Sequence, residues 1–304
     1  MAKWEGKTRG GVTGHKIFVF LLKNFSLTLV YFVLRFVVFY YFINSRKSFR
    51  SVFNYYKLAH NYSNVRSFFK VYSNYYAFGQ ILLDKTILLA GMSNKFTYNF
   101  DGEKYLRQMS SEGKGGIMIG AHMGSWDMAG FLLKRLDHKV NIIFYDAEHQ
   151  NVKEFLRQTY GGNDVDERVN FISISDDFSH LIQIRNALKN GELLTVMGDR
   201  YIRHHKSIRH KFMGKEASFP TGPFVIATRF DIPVSFAFTM KETNSHYHFY
   251  ASEPKIYKNI SGTGNDDEDM KILISDYIQS LEFFVKKYPD QWFNFFDFWE
   301  VEKS

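Results

Sequence analysis

The chain of 304 residues contains no cysteine. That excludes a disulfide framework, a zinc–cysteine site, an iron–sulfur cluster and a cysteine nucleophile. Proline is scarce and all of it is late: the five prolines begin at Pro220, so the first 219 residues lack this helix breaker. No G-x-x-x-x-G-K-[ST] or G-x-G-x-x-G motif is present, and Gly262-Thr263-Gly264 leads into acidic residues, so nothing supports nucleotide binding. No G-x-S-x-G elbow is present either: Met123-Gly124-Ser125-Trp126 lacks the second glycine, which argues against a serine hydrolase. There is no internal repeat and no low-complexity tract.

Aromatic residues are abundant, at 18% of the chain, with 32 Phe, 19 Tyr and 4 Trp. With 45% hydrophobic and 23% charged residues, the chain can bury a sizeable core. The net charge of +8 implies an anionic partner, whether nucleic acid, membrane or a phosphorylated substrate, without choosing among them.

Ile17–Ile43 carries only Lys23 and Arg35 as charges. At about 1.5 Å per residue it is long enough to cross a bilayer. Two features disfavour a simple span. Arg35 lies inside the apolar stretch, and basic residues flank it on both sides (Lys3, Lys7, Arg9 and Lys16; Arg46, Lys47 and Arg50), so the charges set no orientation. A helix lying in the interface, with Lys23 and Arg35 reaching the phosphates, accommodates both; a spanning helix and a buried core helix are the alternatives. Residues 1–45 are therefore expected to be a membrane-anchoring segment and 46–304 a catalytic domain.

Residues 46–90 have apolar positions at helical spacing and predict two amphipathic helices. Beyond them, strands are expected at Gly115–Gly120, Val140–Tyr145, Asn170–Ile174 and Leu193–Met197, with a possible hairpin of Val234–Thr239 and His246–Ala251. Helices are expected at Asp127–Leu136, His149–Tyr160, Asp177–Lys189, Phe219–Arg229 and Asp269–Lys287. The acidic run from Asp266 should lead into a helix N-terminus. This alternation predicts an α/β fold: a mixed, largely parallel central sheet flanked by helices, with an apolar membrane-associated helix at the N-terminus.

The chemistry concentrates at Gly120-Ala121-His122-Met123-Gly124-Ser125-Trp126-Asp127, between a glycine-bounded strand and a helix. In an open α/β sheet ligands bind beyond the carboxyl ends of strands, where this turn falls. In a continuous helix His122 and Asp127 would point about 140° apart. Across a strand–loop–helix turn they can meet, with the carboxylate fixing the imidazole tautomer and leaving the other nitrogen as a base. The plainer alternative is an N-cap role for Ser125 or Asp127 and a surface role for His122. Tyr201–Lys215 holds five Lys/Arg and three His without an acidic residue. It reads as a solvated basic loop or as a contact for phosphates and anionic lipid; a metal site at His204, His205 and His210 lacks a nearby carboxylate.

HMGSWD after a glycine-bounded strand resembles the H-x4-D/E motif of glycerolipid and lipid A acyltransferases. MGDR (Met197–Arg200), the basic segment Arg203–Lys215, FMGKEASFPTGPFVIATR (Phe212–Arg229) with IPVSFAF after it, and YPDQWFNFFDFW (Tyr288–Trp299) follow in an order that resembles the bacterial late lipid A acyltransferases of the lysophospholipid acyltransferase superfamily. The resemblance implies transfer of a fatty acyl group from acyl carrier protein or acyl-CoA to a hydroxyl or amine of a membrane lipid, on the cytoplasmic face of the inner membrane, with no cofactor, no metal and no nucleic acid. It makes His122 the general base and Asp127 its partner, and places Asp199 and Arg200 where they shape or charge-stabilise the site. Arg203, Lys206, Arg209, Thr221 and Gly222 are then expected to bind substrate. Phe219-Pro220-Thr221-Gly222 stands where glycerol-phosphate acyltransferases usually carry a block of the type FPEG, which favours a lipid A-type acceptor. The competing reading is a non-catalytic membrane or nucleic-acid binder that uses a basic, aromatic-rich surface.

Overall fold

The computed structural model describes residues 24–89, 92–113, 115–126, 128, 139–145, 169–174, 179–200 and 206–299. The expected helices 127–136 and 149–160 lie almost wholly or wholly outside them.

Three helices open the described chain. Helix α1 (Leu27–Asn44) is capped by the Ser26 hydroxyl, and α2 (Arg46–His60) ends at Asn61 in the left-handed region. Then comes the 26-residue α3 (Asn64–Leu89). The two amphipathic helices expected over 46–90 are α2 and α3. Val30, Tyr31, Leu34 and Val38 form one buried face of α1, turned toward α3. The other face leaves Leu29, Phe32, Phe36, Phe39, Tyr40 and Ile43 exposed. On α3, Val65, Phe68 and Phe69 are exposed as well.

The strands are β1 (Thr97–Asp101), β2 (Gly116–Gly120), β3 (Val140–Tyr145), β4 (Val169–Ile174), β5 (Leu193–Met197), β6 (Ser207–Phe212), β7 (Lys215–Pro220), β8 (Val234–Lys241) and β9 (His246–Ala251). Seven of them form a sheet in the order β1-β9-β8-β2-β5-β3-β4, parallel throughout except for the β8–β9 hairpin. The remaining helices are α4 (Glu103–Ser111), α5 (Ser179–Lys189), α6 (Gly222–Arg229) and α7 (Asp266–Lys287). Every residue of β2 is buried, as an apolar strand covered on both faces requires. The acidic run does open α7, where Asn265 caps the helix and four carboxylates occupy the first turn.

The structure corrects the reading around 201–220. Ser207–Phe212 is a strand, paired antiparallel with Lys215–Pro220 and joined through Met213 and Gly214, both at positive φ. Phe219 and Pro220 end β7, so the helix starts at Gly222 and not at Phe219. Strand β1 and helix α4 were not anticipated.

A buried polar cluster ties the N-terminal helices to the sheet. Lys241 Nζ on β8 lies 2.5 Å from Asp84 on α3, 3.0 Å from the Tyr31 hydroxyl of α1 and 2.8 Å from the Asn244 carbonyl. Tyr31 and Tyr247 both donate to Asp84. The Asp84 and Lys241 side chains are 0% and 6% exposed, so removing one charge strands the other in an apolar surround. Asp84→Ala is expected to lower unfolding free energy by about 3–5 kcal/mol, the usual cost of breaking a buried pair from one side, as read by denaturant titration in detergent. Replacing Asp101, an exposed carboxylate, should cost under about 0.5 kcal/mol.

Candidate active site

The site follows from sheet order. β2 and β5 are parallel neighbours in register, with Gly120 opposite Met197. Carried two residues further, the same register brings His122 beside Asp199. The step is stitched by Gly198 N–H to the Gly120 carbonyl at 2.9 Å, and the buried Tyr277 hydroxyl donates to that carbonyl as well. Gly124, at φ +59°, turns the chain so sharply that a Cβ there would collide with the Thr239 carbonyl of β8. Ser125 then caps the following helix by accepting the Met128 N–H at 3.2 Å. Of the two candidate N-cap residues, Ser125 makes this bond and Asp127 lies outside the described residues; the His122 side chain is partly buried, at 17% exposure.

Asp199 accepts three hydrogen bonds. Oδ1 takes His122 Nδ1 at 2.8 Å; Oδ2 takes the His122 backbone N–H at 3.0 Å and the Trp292 indole N–H at 3.1 Å. With Nδ1–H committed to the carboxylate, Nε2 is the unprotonated nitrogen of the neutral ring. The Trp126 ring stands edge-on to His122 at 5.5 Å. Burial pushes the Asp199 carboxyl up, but the His122 imidazole, its hydrogen bond, the Arg200 guanidinium and the Trp292 N–H outweigh it and hold the group at about 2. A folded value below the ordinary carboxylate range means that this stabilisation is fully present above about pH 4 and is lost as pH falls toward 2. Asp199 therefore stays ionised across the working range.

A C-terminal arm closes the site from behind. Gln291 accepts the Gly124 N–H at 2.8 Å, and Phe293 N–H donates to the His122 carbonyl at 2.9 Å, so the arm runs antiparallel to the His122 turn. Arg200 donates to the Phe293 carbonyl at 2.5 Å and lies over the Phe296 ring.

Of the residues expected from sequence, His122, Asp199 and Arg200 come together here. Asp127 and Arg203 lie outside the described residues, as do His204 and His205. Lys206 and Arg209 sit exposed on the β6–β7 hairpin, whose inner face buries Phe212 and Phe219 against Trp292 and Phe298. Thr221 pins the hairpin to α6 by donating its hydroxyl and its N–H to the Lys206 carbonyl at 3.0 and 3.1 Å, and Gly222 begins that helix. Trp292 was not singled out, although the aromatic block containing it was. Among the described residues, no group of three or more His, Asp or Glu is placed to hold a metal ion.

A buried carboxylate that orients one imidazole thus stands at the carboxyl ends of the central parallel strands, where open α/β sheets bind their ligands. The chain belongs to the bacterial lipid A biosynthesis acyltransferase family, whose model matches residues 73–300. It is an acyltransferase. Among curated proteins none matches it.

Proposed function

We propose that this acyltransferase moves a fatty acyl group from a thioester donor, acyl carrier protein or acyl-CoA, onto a hydroxyl or amine of a lipid A-type acceptor held in the inner membrane, with the domain from residue 46 onward on the cytoplasmic face. The observation that carries the reading is the His122–Asp199 pair, in a chain of this family. His122 Nε2 takes the proton of the acceptor hydroxyl as its oxygen attacks the thioester carbonyl. The C–O bond forms, the C–S bond breaks, and the proton passes from the imidazole to the departing thiolate. Asp199 holds the tautomer and offsets the imidazolium charge; Arg200, on the same turn, adds positive charge where the oxyanion develops. Asp127, five residues after His122, is a second carboxylate for the same role. Lipid mass spectrometry of a deletion strain beside its complemented parent tests the reading: one acyl-bearing lipid should vanish and return, and unchanged lipids would refute it.

Membrane docking rests on the first helices. Between Glu5 and Asp84 there is no acidic residue, while Lys and Arg occur eleven times. Arg35 on α1, Arg46, Lys47 and Arg50 on α2, and Arg66 on α3 are exposed. Exposed aromatics and exposed cations on the same three-helix segment fit an anionic lipid surface. By length and apolarity α1 could cross a bilayer; the occupation of one of its faces by α3 supports the reading that it lies in the interface instead.

The basic hairpin supplies the contact for a phosphorylated headgroup, with Thr221 and Gly222 fixing its base. Replacing Arg203, Lys206 and Arg209 by Gln should raise the acceptor KM about tenfold at low salt and clearly less at high salt, since exposed charges are screened. A KM change that ignores ionic strength would assign these residues to packing.

A further inference from the structure

We infer that Trp292 is a positioning residue for catalysis, acting through Asp199. This rests on the reading of His122–Asp199 as the base pair. Asp199 Oδ2 has two donors, and the two differ in kind. One is the His122 backbone N–H, part of the turn it must hold; the other, Trp292 Nε1–H at 3.1 Å, comes from the far end of the chain. Trp292 is 1% exposed, and its ring packs on Tyr55, Phe212 and Phe298 at 5.0–5.3 Å between centroids. An indole so enclosed cannot swing, and its N–H fixes the carboxylate plane that aims Oδ1 at His122 Nδ1.

The arm is itself fastened to the N-terminal helices. Tyr55 donates to the Pro289 carbonyl at 2.8 Å, and Tyr56 and Lys70 both bind the Asp290 carboxylate at 2.7 Å. The Asn74 amide donates to the carbonyls of Asp290 and Trp292, each at 3.0 Å. On the sheet side, Gln291 exchanges hydrogen bonds with the Lys241 backbone, at 3.0 Å to its N–H and 2.7 Å to its carbonyl. Trp292 therefore joins the N-terminal helices to the imidazole in one residue: its ring meets Tyr55 of α2, its carbonyl accepts from Asn74 of α3, and its indole N–H holds the carboxylate bonded to His122.

The test uses the full chain in detergent, with a lauroyl thioester donor and the lipid extract of the deletion strain as acceptor. Trp292→Phe keeps a ring in the pocket and removes the N–H. Its kcat should fall about tenfold, the scale of one hydrogen bond to a charged group, with donor KM within about twofold. Trp299→Phe is the control: it removes an indole N–H bonded to the Phe212 carbonyl in the same aromatic cluster, and should leave kcat near wild type. In an Asp199→Ala background Trp292→Phe should cost nothing further, because its route to His122 is gone. An equal tenfold loss in both backgrounds would make Trp292 a packing residue. Wild-type kcat for Trp292→Phe, alongside an inactive His122→Ala, would overturn this inference and leave the base assignment standing. Activity retained by His122→Ala would overturn both.

Discussion

Replacing His122 by Ala is expected to lower acyl transfer by about 10²–10⁴, the range of a general base, with the fold intact. His122 contributes its ring to the site but its backbone to the structure: its N–H donating to Asp199 and its carbonyl accepting the Phe293 N–H survive the substitution. Asp199→Asn should come close to the same loss, for a reason specific to this carboxylate. All three of its partners are donors, so only a group that accepts on both sides fits. An amide must turn its NH₂ either toward His122 Nδ1, which moves the ring proton to Nε2 and removes the base, or toward two N–H groups that repel it. Asp127→Asn separates the two carboxylates: a loss well below that of Asp199→Asn makes Asp199 the partner of His122, and the reverse order makes it Asp127. Wild-type turnover by His122→Ala would end the mechanism.

The carboxylate question also marks what the sequence could and could not reveal. The turn at His122 was legible because a glycine-bounded apolar strand ran into a polar turn and a helix, a local pattern. So were the parallel strands and α7, whose capped acidic start is a local signal as well. Asp199 lies 77 residues from His122, and its approach depends on β5 pairing with β2. Sheet order is a tertiary outcome that periodicity does not encode, so Asp199 could be assigned to the site from the sequence but not set beside His122. The hairpin β6–β7 stayed hidden because its turn is Met213-Gly214 rather than an Asn-Gly or Asp-Gly pair, and because charges on its exposed side gave a solvated look to a strand whose other side buries Phe212. Trp292 gave no signal of its own: among so many aromatics, the role of one indole N–H is set by where the arm lands.

The second large effect is expected at the membrane. Deleting residues 1–45 would remove the exposed face of α1, but it would also strip Tyr31 from Asp84 and Lys241 and expose the α3 surface covered by Val30, Leu34 and Val38. Phe32→Glu, Phe36→Glu and Phe39→Glu act on the exposed face alone, at 54%, 64% and 55% exposure. Burying one phenylalanine in an apolar phase contributes about 2 kcal/mol, so at about 1.4 kcal/mol per tenfold the triple variant should lose about four decades in partitioning onto vesicles of phosphatidylglycerol and phosphatidylcholine. Arg46, Lys47 and Arg50 remain in place, so the residual binding should disappear as salt is raised, whereas wild-type binding should persist. Activity on bilayer-embedded acceptor should fall with binding, because the interface holds enzyme and lipid at high effective concentration. On acceptor dispersed in detergent the triple variant should turn over at nearly the wild-type rate, its site being built from β2, β5 and the arm. Undiminished vesicle binding by the folded variant would place the anchor elsewhere in the chain. Equal loss on both acceptors would mean that the aromatic face of α1 belongs to the site, lining the path of an acyl chain.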